Sequence, residues 1–242
     1  ELGLDHCAVE PCIWAGLLAS YVKRQGYSVT ILDANALRLD PRAVAEIVKD
    51  HEPRLVAIVC YGHQPSASTQ TMPAVYATVT SIRQVCNIPI ILVGGHVAAL
   101  PERTARESGA WVATGEGCTT IGKLLKYDGC GTPGLGAIVR GEFLTINRAE
   151  NIQDLDGEIP GIDWTMLPMD KYRSHDWCTG FVNEGRSPYW SVYGSLSCSW
   201  NCSLLSLRIA STFRMILGSK PFPLASLKIS EMSPARPARS SN

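Results

Sequence analysis

Apolar and polar positions along the first 127 residues follow two alternating periods. Ile13, Leu17, Leu18, Tyr21 and Val22 fall on one face of a helix. Glu10-Pro11 opens it, because proline is tolerated in the first helical turn, and Gly26 closes it. Residues 28–33 read as a strand ending in the carboxylate of Asp33. Pro41 opens a second helix with Val44, Ile47 and Val48 on one face. Residues 55–61 form a continuous apolar run, the pattern of a parallel strand covered on both faces. A polar loop is expected over 62–71, followed by helical spacing at Val75, Val79, Ile82 and Val85. Residues 89–93 read as a second buried strand, stopped by Gly94 and Gly95. A short helix over 101–108, a short strand over 111–114 and a helix over 119–125 complete the pattern. Strands and helices in this alternation predict an α/β fold: a parallel sheet with helices on both faces and right-handed crossovers.

From Tyr127 the texture changes. Gly129, Gly131, Pro133, Gly134 and Gly136 mark a flexible join. Residues 137–140 and 143–146, separated by Gly141-Glu142, read as a β-hairpin. Residues 149–190 are rich in Asp, Pro and aromatics, as in a linker that packs on another surface. Residues 203–242 are rich in Ser, Pro and basic residues, hold a single acidic residue, Glu231, and follow neither period. They read either as a disordered tail or as an out-of-frame or chimeric end. The expected organisation is residues 1–127, a first domain; 128–190, a linker with the hairpin; and 191–242, the start of a further domain with an aberrant tail.

Composition narrows the setting. The 242 residues carry a formal net charge of +0, which gives no general attraction to nucleic acid or membrane. No apolar run approaches the roughly 20 residues of a membrane span, and no basic segment precedes an apolar one at the N-terminus. The nine cysteines are odd in number and mostly scattered, with Cys60 and Cys86 in apolar segments as buried thiols. That usage indicates a reducing, cytoplasmic compartment.

Ligands of an open parallel sheet bind outside the carboxyl ends of its strands. Three segments fall there: Tyr61, Gly62, His63, Ser66, Ser68 and Thr69 after one strand; Gly94, Gly95 and His96 after the next; and Gly115, Glu116 and Gly117 after the third. Glycines let the backbone approach a bulky ligand, and the hydroxyls can hydrogen-bond phosphate or amide groups. His63 and His96 read either as rim residues or as loop histidines bonded to backbone, and Asp33 either accepts a ligand hydroxyl or caps the next turn. No G-x-G-x-x-G follows a strand and no G-x-x-x-x-G-K-[ST] is present, which disfavours dinucleotide and nucleoside triphosphate sites. In the second half, Cys198-x3-Cys202 follows a β-like run, a placement suited to iron–sulfur ligation or, on spacing alone, two unrelated thiols.

Taken together these residues resemble the cobalamin-dependent radical S-adenosylmethionine enzymes. The first domain carries the resemblance in Glu10-Pro11, Gly26-Tyr27-x-Val29, Leu32-Asp33-Ala34, Pro53-x-Leu55-Val56, Gly94-Gly95-His96, Ala99-Leu100-Pro101-Glu102 and Gly115-Glu116-Gly117. The linker carries it in Asp154-Leu155-Asp156, Ile159-Pro160 and Leu167-Pro168-Met169, and residues 188–202 resemble the entry to the catalytic barrel. The resemblance implies a flavodoxin-like (Rossmann-like) domain whose three glycine-containing loops line a corrin ring, with the nucleotide tail between sheet and helices. It implies further that, in complete members, three cysteines hold a [4Fe–4S] cluster that cleaves S-adenosylmethionine, and that methylcobalamin often supplies a methyl group.

Departures accompany it. Leu205 stands where the third cysteine is expected, Ser197 replaces the glycine before the first, and the likeness ends after Cys202. The barrel, roughly 200 residues, is therefore not expected here, and the chain alone is not expected to catalyse. The sheet's usual first strand is expected to be missing or degraded into residues 1–9. No Asp-x-His-x-x-Gly pattern for a lower axial histidine is found. The alternatives are a non-enzymatic regulatory or interaction domain of the same fold, or a binder of another cofactor such as flavin.

Overall fold

The structure, a computed structural model, describes residues 6–61, 65–127, 131–147, 149–150, 152, 154–159, 161–180 and 185–190. The first half runs α1 (Ile13–Arg24), α2 (Pro41–His51), β1 (Val56–Val59), α3 (Pro65–Val85), β2 (Ile90–Val93), α4 (Gly95–Ala99), α5 (Pro101–Ser108), β3 (Trp111–Ala113) and α6 (Cys118–Tyr127). Then come β4 (Leu135–Val139), β5 (Glu142–Thr145), α7 (Leu155–Glu158) and three short 3-10 turns. One five-stranded sheet has the order β1-β2-β3-β4-β5. The first three strands are parallel, and the β4–β5 hairpin joins β3 antiparallel. This is the expected α/β class with a mixed sheet. The hairpin placed in the linker by its sequence is continuous with the sheet.

The apolar run of β2 is explained by two-sided burial. Ile90 and Leu92 pack with Met72, Val75, Val79 and Ile82 of α3 on one face. Ile91 and Val93 pack with Leu18 and Val22 of α1 and Ile121 and Leu124 of α6 on the other. Alternation with period two sends successive side chains to opposite layers. Each such buried side chain contributes about 1.5–3 kcal/mol relative to exposure. Local signals then set the ends: the carboxylate of Asp40 accepts from the N–H groups of Arg42 and Ala43, with Pro41 in the first turn of α2.

Two expectations are corrected. Residues 28–33 form no strand. Their sequence has the strand pattern, and Val29 and Ile31 do pack inward. A strand, however, requires a hydrogen-bonded neighbour, and among the described residues none lies in register beside this segment. β1 is likewise paired only with β2. Val56 and Cys60 donate toward β2, so the alternating geometry of a parallel ladder turns the backbone groups of Leu55, Ala57 and Val59 away from it. The expected loop over 62–71 is also shorter, because α3 begins at Pro65. Pro65 sits at the first helical position, and Pro73 inside the helix removes only the donor that the carbonyl of Thr69 would take.

The linker packs back onto the first domain. Tyr172 is wholly buried, and its hydroxyl donates to Asp33 Oδ2 at 2.8 Å. Asp33 Oδ1 accepts from the N–H of Ala36 at 3.0 Å, so both oxygens of the carboxylate are engaged. Burial, with Asp33 alongside, pushes the Tyr172 phenol well above its ordinary value. Ile162 lies against Gly16 of α1, where a β-carbon would sit 2.7 Å from Ile162 Cγ2. Tyr172→Phe leaves Asp33 buried with one partner fewer and is expected to lower stability by about 1–3 kcal/mol, measured by urea unfolding.

Candidate functional site

The parallel direction of β1, β2 and β3 puts their carboxyl ends on one edge, and the loops that leave there converge. The ladder continues past the strands, with Cys60 N donating to Val93 O at 2.6 Å. Gly94 then crosses directly over the Cys60 carbonyl, where no β-carbon fits. Gly95 opens α4 beside Ser68, which is fully buried on α3; a β-carbon at Gly95 would lie 3.6 Å from Ser68 Oγ. Thr69 Oγ1 and His96 Nδ1 are 3.0 Å apart, a hydrogen bond whose donor follows the imidazole tautomer. It ties α3 to α4. Gly117 adopts φ +94°, and a β-carbon there would stand 2.5 Å from Val93 Cγ1. Ser68, Thr69, Gly94, Gly95, His96 and Gly117 thus gather on one rim with a floor of small residues.

The other expected residues divide. Tyr61 follows β1, and its ring stacks on Trp14 of α1 with centroids 4.7 Å apart and planes at 22°. Gly115 turns toward the linker, where a β-carbon would meet Ala149 Cβ at 2.7 Å. Gly62, His63, Cys198 and Cys202, and the side chain of Ser66, lie outside the described residues. Asp33 serves the turn and Tyr172, not the rim. Trp14 and Tyr172 were not singled out by sequence. Trp14 falls on the apolar side of an amphipathic helix like any core residue, and Tyr172 sits in a segment without period.

Glu116 is the distinctive group of the site. Its Oε1 is buried and, among the described residues, has no hydrogen-bond partner. Burial alone pushes its carboxyl up from the ordinary 4.5 to about 7. Next to it, burial raises the Cys118 thiol to about 12, with the charge of Glu116 adding to the effect. Burial also lowers His96 below its ordinary value, and Arg103 contributes in the same direction. Among the described residues no group of three or more His, Cys, Asp or Glu side chains is placed to hold a metal ion. Cys7, Cys12, Cys60, Cys86, Cys118 and Cys178 are free thiols. No described helix is long and apolar enough to cross a membrane.

The orphaned oxygen of Glu116 and the polar groups of Thr69 and His96 fit a ligand with polar groups at its margin. Comparison with known proteins gives the following matches. Residues 8–125 match the B12 binding domain family. An uncharacterized methyltransferase of Pyrococcus horikoshii is 29% identical over 204 residues, covering 81% of this chain and 40% of that protein. The radical S-adenosylmethionine methyltransferase TsrM of Kitasatospora setae, solved with tryptophan substrate and an S-adenosylmethionine analogue, superposes with a TM-score of 0.51 at 18% identity. That match covers 60% of this chain and 29% of TsrM, and it shows a shared fold. The cobalamin-dependent S-adenosylmethionine radical enzyme OxsB, solved with aqua-cobalamin, matches at 16% identity and a TM-score of 0.49 over 63% of this chain and 21% of its own. The chain therefore spans less than half the length of each.

Glu116 also makes a stability prediction. With its value raised from 4.5 to about 7 in the fold, the folded chain holds a proton that the unfolded chain releases between those limits. Stability therefore falls as pH rises through that window, and the deficit persists above it. Glu116→Gln is expected to melt at the wild-type temperature below pH 4.5 and higher than wild type above pH 7, read from melting temperatures across pH.

Proposed function

We propose, for a chain whose residues 8–125 match the B12 binding domain family, that Ser68, Thr69, Gly94, Gly95, His96, Glu116 and Gly117 seat cobalamin. The chain is the cobalamin-binding portion of a radical S-adenosylmethionine enzyme that in complete form is a methyltransferase. The observation that carries this reading is the convergence of Ser68, Gly95 and Gly117 at the carboxyl edge of three parallel strands. Small residues there admit a wide ring close to the backbone, as the chemistry of a bulky corrin requires. Bound cobalamin supplies a cobalt centre able to carry a methyl group. The chain's own side chains bind and orient: Ser68 and Thr69 present hydroxyls, and His96 is fixed by Thr69. The names of the methyltransferase from Pyrococcus horikoshii and of TsrM support the methyl-transfer reading for the full enzyme.

The cluster chemistry of such enzymes maps onto Cys198 and Cys202, with Leu205 at the place of a third thiolate. Two thiolates leave a cuboidal cluster under-ligated. Anaerobic iron–sulfide reconstitution is expected to give little or no stable [4Fe–4S] absorbance. A robust cluster spectrum would reveal a third ligand and restore radical chemistry to this chain.

The cobalamin reading is tested by incubating the protein with hydroxocobalamin, desalting, and recording the spectrum. A retained corrin band is expected. A well-folded protein without that band, or one that retains flavin instead, would overturn the reading. Gly95→Ala has room for its methyl group beside Ser68, so its stability is expected within about 0.5 kcal/mol of wild type. That methyl group fills the space between α4 and Ser68 in the proposed seat, and cobalamin affinity is expected to fall about tenfold.

A further inference from the structure

Glu116 poses a problem that the fold does not solve by itself. A buried acid ordinarily has a cation or a set of donors beside it. Among the described residues Oε1 has neither, and burial is the cause of its raised value. The ammonium of Lys123, on the same α6 layer, is engaged by the carboxylate of Glu150. The adjacent Cys118 thiol is held neutral by burial. The group sits between Gly115 and Gly117 in the loop that leaves β3, beside the rim of small residues. A buried carboxyl oxygen left without a partner is costly, and a partner arriving with a ligand would recover that cost.

We infer that Glu116, as a neutral carboxylic acid, pairs reciprocally with a primary carboxamide at the edge of the bound ligand. The acid O–H donates to the amide oxygen, and an amide N–H donates to the acid's carbonyl oxygen. The inference rests on the cobalamin reading: the corrin macrocycle is fringed with acetamide and propionamide side chains, each a donor and acceptor in one planar group. A carboxylate has no proton to donate and loses half of the pair. Binding is therefore coupled to one proton, and affinity falls as Glu116 ionises.

The nearby titratable groups do not produce the same profile. Cys118 on α6 stays protonated through the relevant range, with its thiol near 12. Its other acidic neighbour is Glu158 of α7. His96, on α4, is shifted below its ordinary 6.5 and so has lost its proton before Glu116 does.

The test uses the full chain and cyanocobalamin, whose axial cyanide does not titrate between pH 5.5 and about 9. The dissociation constant of wild type is expected to be flat below pH 6.5 and to rise toward tenfold per pH unit above about 7. Glu116→Gln, an isosteric neutral amide, is expected to keep the acid-limb affinity across the whole range. Glu116→Ala is expected to bind about tenfold more weakly than wild type on its acid limb, with no dependence on pH. Calorimetry at pH 8 in buffers of different ionisation enthalpy should show proton uptake by wild type and none by Glu116→Gln. A flat wild-type profile, or a Glu116→Gln variant as weak as Glu116→Ala, would overturn the inference while leaving cobalamin binding intact. Loss of binding by wild type at every pH would instead remove the cobalamin reading itself.

Discussion

The site depends on one steric constraint, the passage of Gly94 across the carbonyl of Cys60 with no space for a side chain. Cys60 N is already bonded to Val93 O, so β1 and β2 are clamped together up to their last residues. Gly117 repeats the approach one strand further on, resting on Val93. These contacts set the chain leaving β2 against the end of β1, and the chain leaving β3 against the end of β2. Only parallel strands make this possible, because antiparallel neighbours would send successive loops to opposite edges. The rim is thus a consequence of strand direction, and its small residues are the condition for the loops to close on it.

The same economy governs the opposite flank, where a segment with strand character has no ladder. Residues 28–33 end at Asp33, and the linker, arriving more than a hundred residues later, closes this corner through Tyr172. Ala36, Leu167 and Tyr172 form a small third cluster with Cys12, Ile31 and Ile162 around them. Burial, not charge, holds the linker down. The exposed ion pair of Lys23 with Asp163 is of a kind that contributes at most about 1 kcal/mol, whereas Tyr172 and Leu167 are removed from solvent. Arg186, itself buried, adds donors to the carbonyls of Ser174 and Cys7 and so ties the linker to the residues ahead of α1.

Much of this was legible in the order of residues, and the failures have physical causes. β1, β2 and β3 were readable because strands covered on both faces become uninterrupted apolar runs, and the three loops at their ends follow from strand order. Residues 28–33 misled because alternation reports burial, not pairing. The start of α3 was misplaced because residues 62–71 are polar and the apolar helical spacing shows only from Val75, although the helix begins at Pro65. The union of the hairpin with β3 depends on an antiparallel contact that no local pattern encodes. Glu116 was visible as a loop acid, but its isolation was not, since the absence of a partner is a property of packing in three dimensions.

That isolation bears on which ligand the rim suits. Flavin and dinucleotide ligands bring phosphates, and a phosphate beside a buried acid of raised value meets either a repelling carboxylate or a neutral group with one proton to offer. Phosphate sites instead gather backbone N–H groups and a cation. Here the rim supplies hydroxyls, a neutral imidazole and a carboxyl group that resists ionisation. Each is a neutral hydrogen-bonding group, and a net charge of +0 adds no field to attract an anion. Such a lining suits amide groups at the margin of a ligand.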